Sequence, residues 1–175
     1  MKTHLLIILL ILISFPLCAQ ETDFRVPDSL IILLEENPDP DQKRAEALIT
    51  ILQYLSIERH YFESRPYVEE LAVLADELKD PYIKAASDLS TGCLIIETGN
   101  DIKQAFKSIN NAFIITSQLP KNEKSLSLMV KIYNSMGVCH SLLGMEADAY
   151  ECYIKGIEIN DKHLEVIIRQ MLCKV

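Results

Sequence analysis

The sequence predicts an all-α protein built as a stack of antiparallel helix pairs. Three observations carry that expectation. From Asp41 onward apolar residues recur at three- and four-residue steps with a polar opposite face, which is the period of a helix half-buried against a neighbour. No stretch sustains strand alternation, and five Gly and seven Pro in 175 residues leave little material for a turn-rich β fold. One set of residues also recurs at a spacing of a little over forty, the mark of a repeat array.

The elements follow in order. Met1 to His4 carries one fixed positive charge, Leu5 to Leu17 is almost wholly apolar, and Cys18-Ala19-Gln20-Glu21 follows. That is the three-part pattern of a secretory signal peptide over residues 1–19, cleaved after the small Ala19. The run is shorter than the roughly 20 apolar residues needed to span a bilayer and it meets Pro16. Lipid anchoring through Cys18 and retention of the segment as an uncleaved anchor are the alternatives; Leu17 is large for the position before a lipidated cysteine. The protein is therefore expected to be exported, periplasmic or secreted, with no membrane span in the mature chain.

Residues 20–40 form an N-terminal segment with one short helix over Leu30 to Leu34, stopped by Asn37-Pro38-Asp39-Pro40, since proline drives the preceding residue out of helical space. Further helices are expected at about 41–58, 65–79, 82–98, 102–117, 123–143, 146–159 and 162–174, separated by Pro, Gly, Asn and Asp clusters. They group into repeats over 41–80, 81–120 and 121–160. A terminal single helix spans 161–175, opened by Asn160-Asp161 as a cap type. It reads either as a solvating cap or as the first helix of a truncated further repeat. Its apolar residues Leu164, Ile167, Ile168 and Met171 would favour self-association if left uncovered.

The clearest repeat unit is Tyr133, Met136, Gly137, His140, Gly144, Ala149, Tyr153 and Gly156. Forty-four residues earlier the same slots hold Leu89, Gly92, Cys93, Ile96, Asn100, Ala105, Ile109 and Ala112. A further 41 residues back they hold Leu48, Ile51, Leu52, Leu55, Arg59, Ser64, Val68 and Leu71. Aligning Gly92 and Gly99 with Gly137 and Gly144 would need 45. The spacing of 44 is preferred because it keeps Leu89, Cys93 and Ile96 on one face and aligns the second helices. Small residues at Gly137 and Ala149 are expected to face each other where the two helices of one unit cross.

The formal charge is −8, from 17 Lys+Arg against 25 Asp+Glu, which disfavours nucleic-acid binding. His4, His60, His140 and His163 stand in no metal-binding spacing, and no phosphate-cradling glycine loop or nucleophile elbow is present. The acidic pairs Glu35-Glu36, Glu69-Glu70 and Asp76-Glu77 read as solvated helix faces. Tyr61-Phe62 and Tyr67 read as core packing or a contact patch. No catalytic residue, cofactor or metal is expected. Four cysteines remain in the mature chain, Cys93, Cys139, Cys152 and Cys173; they read as small buried hydrophobes, with Cys139–Cys152 the favoured pair if any disulfide forms.

The recurrent residues resemble the tetratricopeptide repeat, most closely in the unit from Tyr133 to Gly156, with His140 in place of an aromatic and Gly156 in place of the last alanine. The spacing exceeds the usual period of about 34, and the long-unit form and the Leu-Cys-Ala-Gln ending resemble exported proteins of Bacteroidetes-type bacteria. The resemblance implies a right-handed superhelical solenoid whose first helices line a concave groove for a protein or peptide partner. It places Glu46, Ile49, Gln53 and Ser56, then Ser87, Ser90, Leu94 and Glu97, then Lys131, Asn134, Val138 and Ser141 in that groove. Chaperone-binding members use lysines and asparagines to clamp a carboxylate. Here Ile49 and Ser90 occupy the lysine positions and Val138 and Leu94 the asparagine positions, so no such clamp is expected. The expected function is a non-catalytic exported interaction scaffold. The alternative is the periplasmic sensory portion of a signal-transduction protein, of the histidine kinase or transcriptional regulator type, that has lost its output domain.

Overall fold

The computed structural model describes residues 25–99 and 101–172, with residues 162–172 as helix backbone only. The expected leader, with Cys18, and Cys173 lie outside them. The described chain forms α1 (Asp28–Glu35), α2 (Gln42–Ile57), a short 3₁₀ turn (Phe62–Ser64), α3 (Arg65–Leu78), α4 (Pro81–Thr98), α5 (Ile102–Gln118), α6 (Glu123–Leu142) and α7 (Glu146–Leu172).

The helix starts are written locally. A helix leaves its first amides without internal partners, and a side-chain oxygen at the preceding residue satisfies them. Asp41 accepts from the amides of Lys43 and Arg44 at 2.9 and 3.0 Å. Asp80 accepts from Tyr82 and Ile83 at 2.8 and 3.0 Å, and Pro81 supplies a first residue that has no amide to satisfy. Asp101 accepts from Gln104 at 3.0 Å. Asn122 and Ser125 form a reciprocal capping box, each side chain accepting from the other's amide at 3.0 Å. The stops are equally local: Gly99 and Gly144 take φ of +67° and +74°, which glycine adopts without a Cβ clash.

Consecutive helices pack antiparallel, α2 on α3, α4 on α5 and α6 on α7, and each pair rests on the next. The first helices of neighbouring pairs touch, α2 on α4 and α4 on α6. Among the described residues the second helices α3, α5 and α7 do not touch one another. A stack in contact on one side only must curve, and its inner wall is α2, α4 and α6. The core between the layers is formed by Leu48, Ile51, Leu55, Leu71, Ile83, Ile109 and Ile132, each with under 2 % of its surface exposed. At the front, α1 lies against α2. The Arg44 guanidinium donates to the carbonyls of Leu34 (3.3 Å) and Asn37 (3.0 Å) at its C-terminal end and pairs with Glu70 on α3. This one side chain closes the front of the stack and satisfies carbonyls left open by the end of α1.

Where paired helices cross, a small residue accepts a large one. A Cβ built on Gly137 would lie 2.8 Å from Cδ1 of Tyr153 and closer still to Cε1 of the same ring. On Gly92 it would meet Ile109 at 2.5 Å and the Ala105 carbonyl at 3.0 Å. At Gly137 the Tyr153 ring, one turn along from Ala149, fills the space a side chain would need. Ala149 is nonetheless buried, at 2 % exposure, as are Ala105 and Ala112, and Gly156 packs over Tyr133.

These contacts also correct the spacing. Gly92 and Gly137 play one role, and buried Ile83 and Ser87 match buried Leu128 and Ile132, so α4 and α6 are 45 residues apart rather than 44. Ala105, Ile109 and Ala112 on α5 match Ala149, Tyr153 and Gly156 on α7 at 44. The physical reason lies in the turn, where a repeat can gain or lose a residue without disturbing either helix face.

A second correction concerns Asn160-Asp161. These residues do not break the chain; α7 runs through them to Leu172. Both side chains are exposed, neither is Gly or Pro, and nothing forces the backbone to turn. The expected separate helix over 162–174 is a continuation of α7 as far as Leu172.

Gly137→Ala should lower the thermal midpoint, because overpacking costs about 1–3 kcal/mol and outweighs the gain of about 1 kcal/mol in helix propensity. Gly156→Ala should raise it, since a Cβ there has only ordinary contacts at 3.6 and 3.7 Å. Thermal melts of the two variants check the pair; equal shifts would contradict the packing at Gly137.

Candidate functional site

The inner wall encloses a concavity of about 530 Å³. Its lining follows a repeated rule. Ile49, Leu52, Gln53 and Ser56 on α2 correspond, 37 residues on, to Ala86, Leu89, Ser90 and Cys93 on α4. A further 45 residues on stand Lys131, Asn134, Ser135 and Val138 on α6. Each inner helix thus offers one four-residue stripe, and the three stripes lie side by side. Leu94 and Leu128 complete the apolar floor; Ile57, Arg59, Tyr61, Ser64 and Val68 close the end nearest the turn between α2 and α3.

The sequence-derived groove residues divide accordingly. Gln53, Ser90, Leu94, Lys131, Asn134 and Val138 line the concavity, as do Ile49 and Ser56. Glu97 and Ser141 are exposed but do not line it; Ser141 instead donates to Glu146 at 3.4 Å beside the next turn. Ser87 is buried at 1 % exposure. Glu46 is held at 2.9 Å by Lys124. The slip of one residue in α4 accounts for Ser87 and Glu97, because one position turns a side chain through about 100° around a helix. Leu52, Ala86, Leu89, Cys93, Leu128 and Ser135 were not anticipated. The glycine alignment at 45 would have revealed the α4 members. Arg59 and Tyr61 belong to the long first turn, whose greater length is visible in the sequence.

Charge in the concavity is sparse and of one sign. Its lining includes Arg59 and Lys131 and no carboxylate, although the whole chain is acidic. Lys131 is half-buried, has no ion-pair partner among the described residues, and burial alone draws its pKa below the ordinary lysine value. Across the floor, Cys93 and Ser135 bridge α4 and α6 at 3.4 Å, and burial raises the Cys93 thiol. Burial likewise raises the Cys139 thiol, to about 11. Cys93, Cys139 and Cys152 are all free thiols, so the Cys139–Cys152 pair is not formed. A protonated thiol is a poor nucleophile and metal ligand. Among the described residues no group of three or more His, Cys, Asp or Glu is placed to hold a metal.

The remaining candidates sit elsewhere. His140 is half-buried between α5 and α6, its ring edge-on to Phe106 at 5.0 Å, and serves packing. Tyr67 packs against the core, whereas Phe62 is 72 % exposed. No helix among the described residues is long and apolar enough to cross a membrane.

A desolvated cation without a counter-charge weakens the fold. Because the folded-state pKa of Lys131 lies below its unfolded value, that penalty is full at neutral pH. It fades as pH rises through the lowered value toward 10.5. Lys131→Met should therefore melt at a higher temperature than the native chain at pH 7, with the difference shrinking in alkaline buffer. A lower melting temperature at pH 7 would mean that the ammonium has a compensating partner.

No protein-family model matches the sequence, and no curated protein matches it. Among solved structures, BtubC (BKLC) from P. vanneervenii superposes with a TM-score of 0.54 at 16% identity over 77% of this chain. The chain spans about half, 53%, of the BtubC chain. MamA aligns over 78% of this chain and 87% of its own at 12% identity and a TM-score of 0.36. At such identity the BtubC match is a likeness of fold. It agrees with an all-helical stack of consecutive helix pairs.

Proposed function

We propose that this chain is a non-catalytic, exported scaffold that binds a protein segment along its concave face. The observation that carries the reading is the concavity itself, formed by three equivalent stripes with an apolar floor of Leu52, Leu89, Leu94 and Leu128 beneath polar Gln53, Ser90 and Asn134. An extended or helical peptide could lay apolar side chains along that floor while its backbone meets the polar groups. Lys131 and Arg59, with no carboxylate beside them in the lining, favour a segment that brings its own. Export rests on the pattern from Met1 to Ala19.

The test is affinity capture from the exported-protein fraction of the source cell, with binding then measured on the purified partner. Val138, 38 % exposed in the groove, and Ile114, 47 % exposed on α5, are matched sites for a charge. Val138→Glu should weaken binding by about tenfold or more, the effect of losing a central contact. Ile114→Glu should leave it unchanged, and both should fold. Equal affinity for the two variants would remove the groove from the account.

A further inference from the structure

The first helix of each unit stops on a left-handed residue. After Ile57 the amide of His60 donates to the Leu55 carbonyl at 2.9 Å; after Leu142 the amide of Met145 donates to the His140 carbonyl, also at 2.9 Å. The residue before that amide is Arg59 at φ +62° in the one case and Gly144 at +74° in the other, and α4 stops with Gly99 at +67°. A Cβ is disfavoured in this conformation, so glycine suits two of the three stops. At the third the same backbone carries an arginine, and of the three positions only that of Arg59 lines the concavity. Its guanidinium is exposed and pairs with no carboxylate among the described residues. The surface on either side of it in sequence is apolar: Ile57 is 77 % exposed and Phe62 72 %. Ile57 and Tyr61 line the same end of the concavity. The carboxylates of this turn, Glu58 and Glu63, do not line it, and Glu63 faces His60 at 3.5 Å.

We propose that the segment held in the concavity is an internal stretch of chain with an aspartate or glutamate side chain set between apolar residues, and that Arg59 receives that carboxylate. The inference rests on the concave face binding a protein segment and names the chemistry that face selects. Charge argues for the anion: the lining holds Arg59 and Lys131 and no carboxylate, in a chain whose formal charge is −8. A guanidinium meets a carboxylate with two parallel hydrogen bonds, a geometry an ammonium lacks. The apolar surface argues for the neighbours and for an internal position. A chain ending at the guanidinium would leave part of the surface around Ile57 and Phe62 bare, whereas a chain that runs on covers it. Apolar neighbours also keep water from the pair, which strengthens it. The backbone supplies the last argument. A left-handed arginine weakens the fold relative to glycine, and a strained residue that faces a groove marks a place where the side chain serves the groove.

Selection of short random peptides on the full chain tests the proposal. The peptides are displayed fused at their C-terminal end, so none offers a terminal carboxylate. The selected peptides should carry an acidic residue among apolar ones. Synthetic copies with that acid changed to its amide should bind the native chain about tenfold more weakly. Arg59→Gly should erase that difference while raising the melting temperature by about 2–4 °C, because it removes the cation and relieves the backbone together. Lys79→Gly is the control: Lys79 is also left-handed, at φ +54°, but does not line the concavity. It should melt higher too and keep the full preference for the acid. Selected peptides that show no acidic preference overturn the proposal and leave the groove standing. A preference that survives Arg59→Gly, or an Arg59→Gly chain that melts lower than the native one, overturns the role of Arg59. Failure to select any peptide, or peptides that bind Val138→Glu as well as the native chain, removes the groove and this proposal with it.

Discussion

The fold depends on how closely the two helices of a unit can approach. At Gly137 and Gly92 the first helix presents bare backbone, and the second fills the space with Tyr153 or Ile109. One large side chain against one absent side chain sets the separation of the two later pairs. Everything outward of that contact follows from it: Ala149 and Ala105 can be buried because the helices are already close. Each pair can then be stacked on the next as a unit. Stability in such an array is a sum of units and the interfaces between them.

The first unit reaches the same end by another route. Its second helix repeats into α5 at 41, matching Ser64, Val68, Leu71 and Ala75 to Ala105, Ile109, Ala112 and Thr116, while its first helix repeats into α4 at 37. The four-residue difference is taken up in the turn from Glu58 to Ser64, which holds the 3₁₀ segment, against three residues in the later turns. That longer turn is not idle. It brings Arg59 and Tyr61 to one end of the concavity. Uneven spacing thus shapes the groove, whose inner helices touch one another while, among the described residues, the outer ones do not touch one another.

Much of the architecture was legible because its signals are short-range. Asp41, Asp80, Asp101 and Asn122 announce helix starts a residue or two ahead, and Gly99 and Gly144 announce stops. Eight of the twelve candidate groove residues line the concavity, because the apolar period alone fixes the inward faces of α2 and α6. Those in α4 were partly misread. Leu89, Cys93 and Ile96 make an attractive apolar face on paper, whereas the glycine alignment at 45 points to the other register, and the fit of Gly92 against Ile109 decides between them. Asn160-Asp161 misled for a related reason. Cap-type residues start a helix only where the chain has cause to stop first, and here it has none.

The sequence by itself determined the helices, their caps, their order and the recurrence of small residues between large ones. Each of these is decided within a turn or two of chain by hydrogen bonding, backbone sterics and the period of apolar residues. Tertiary structure decided between the two registers open to α4, and which side chains share the concave wall. Those depend on whether a ring or a branched chain from another helix fits a particular gap, and steric fit between residues far apart in the chain leaves no local mark.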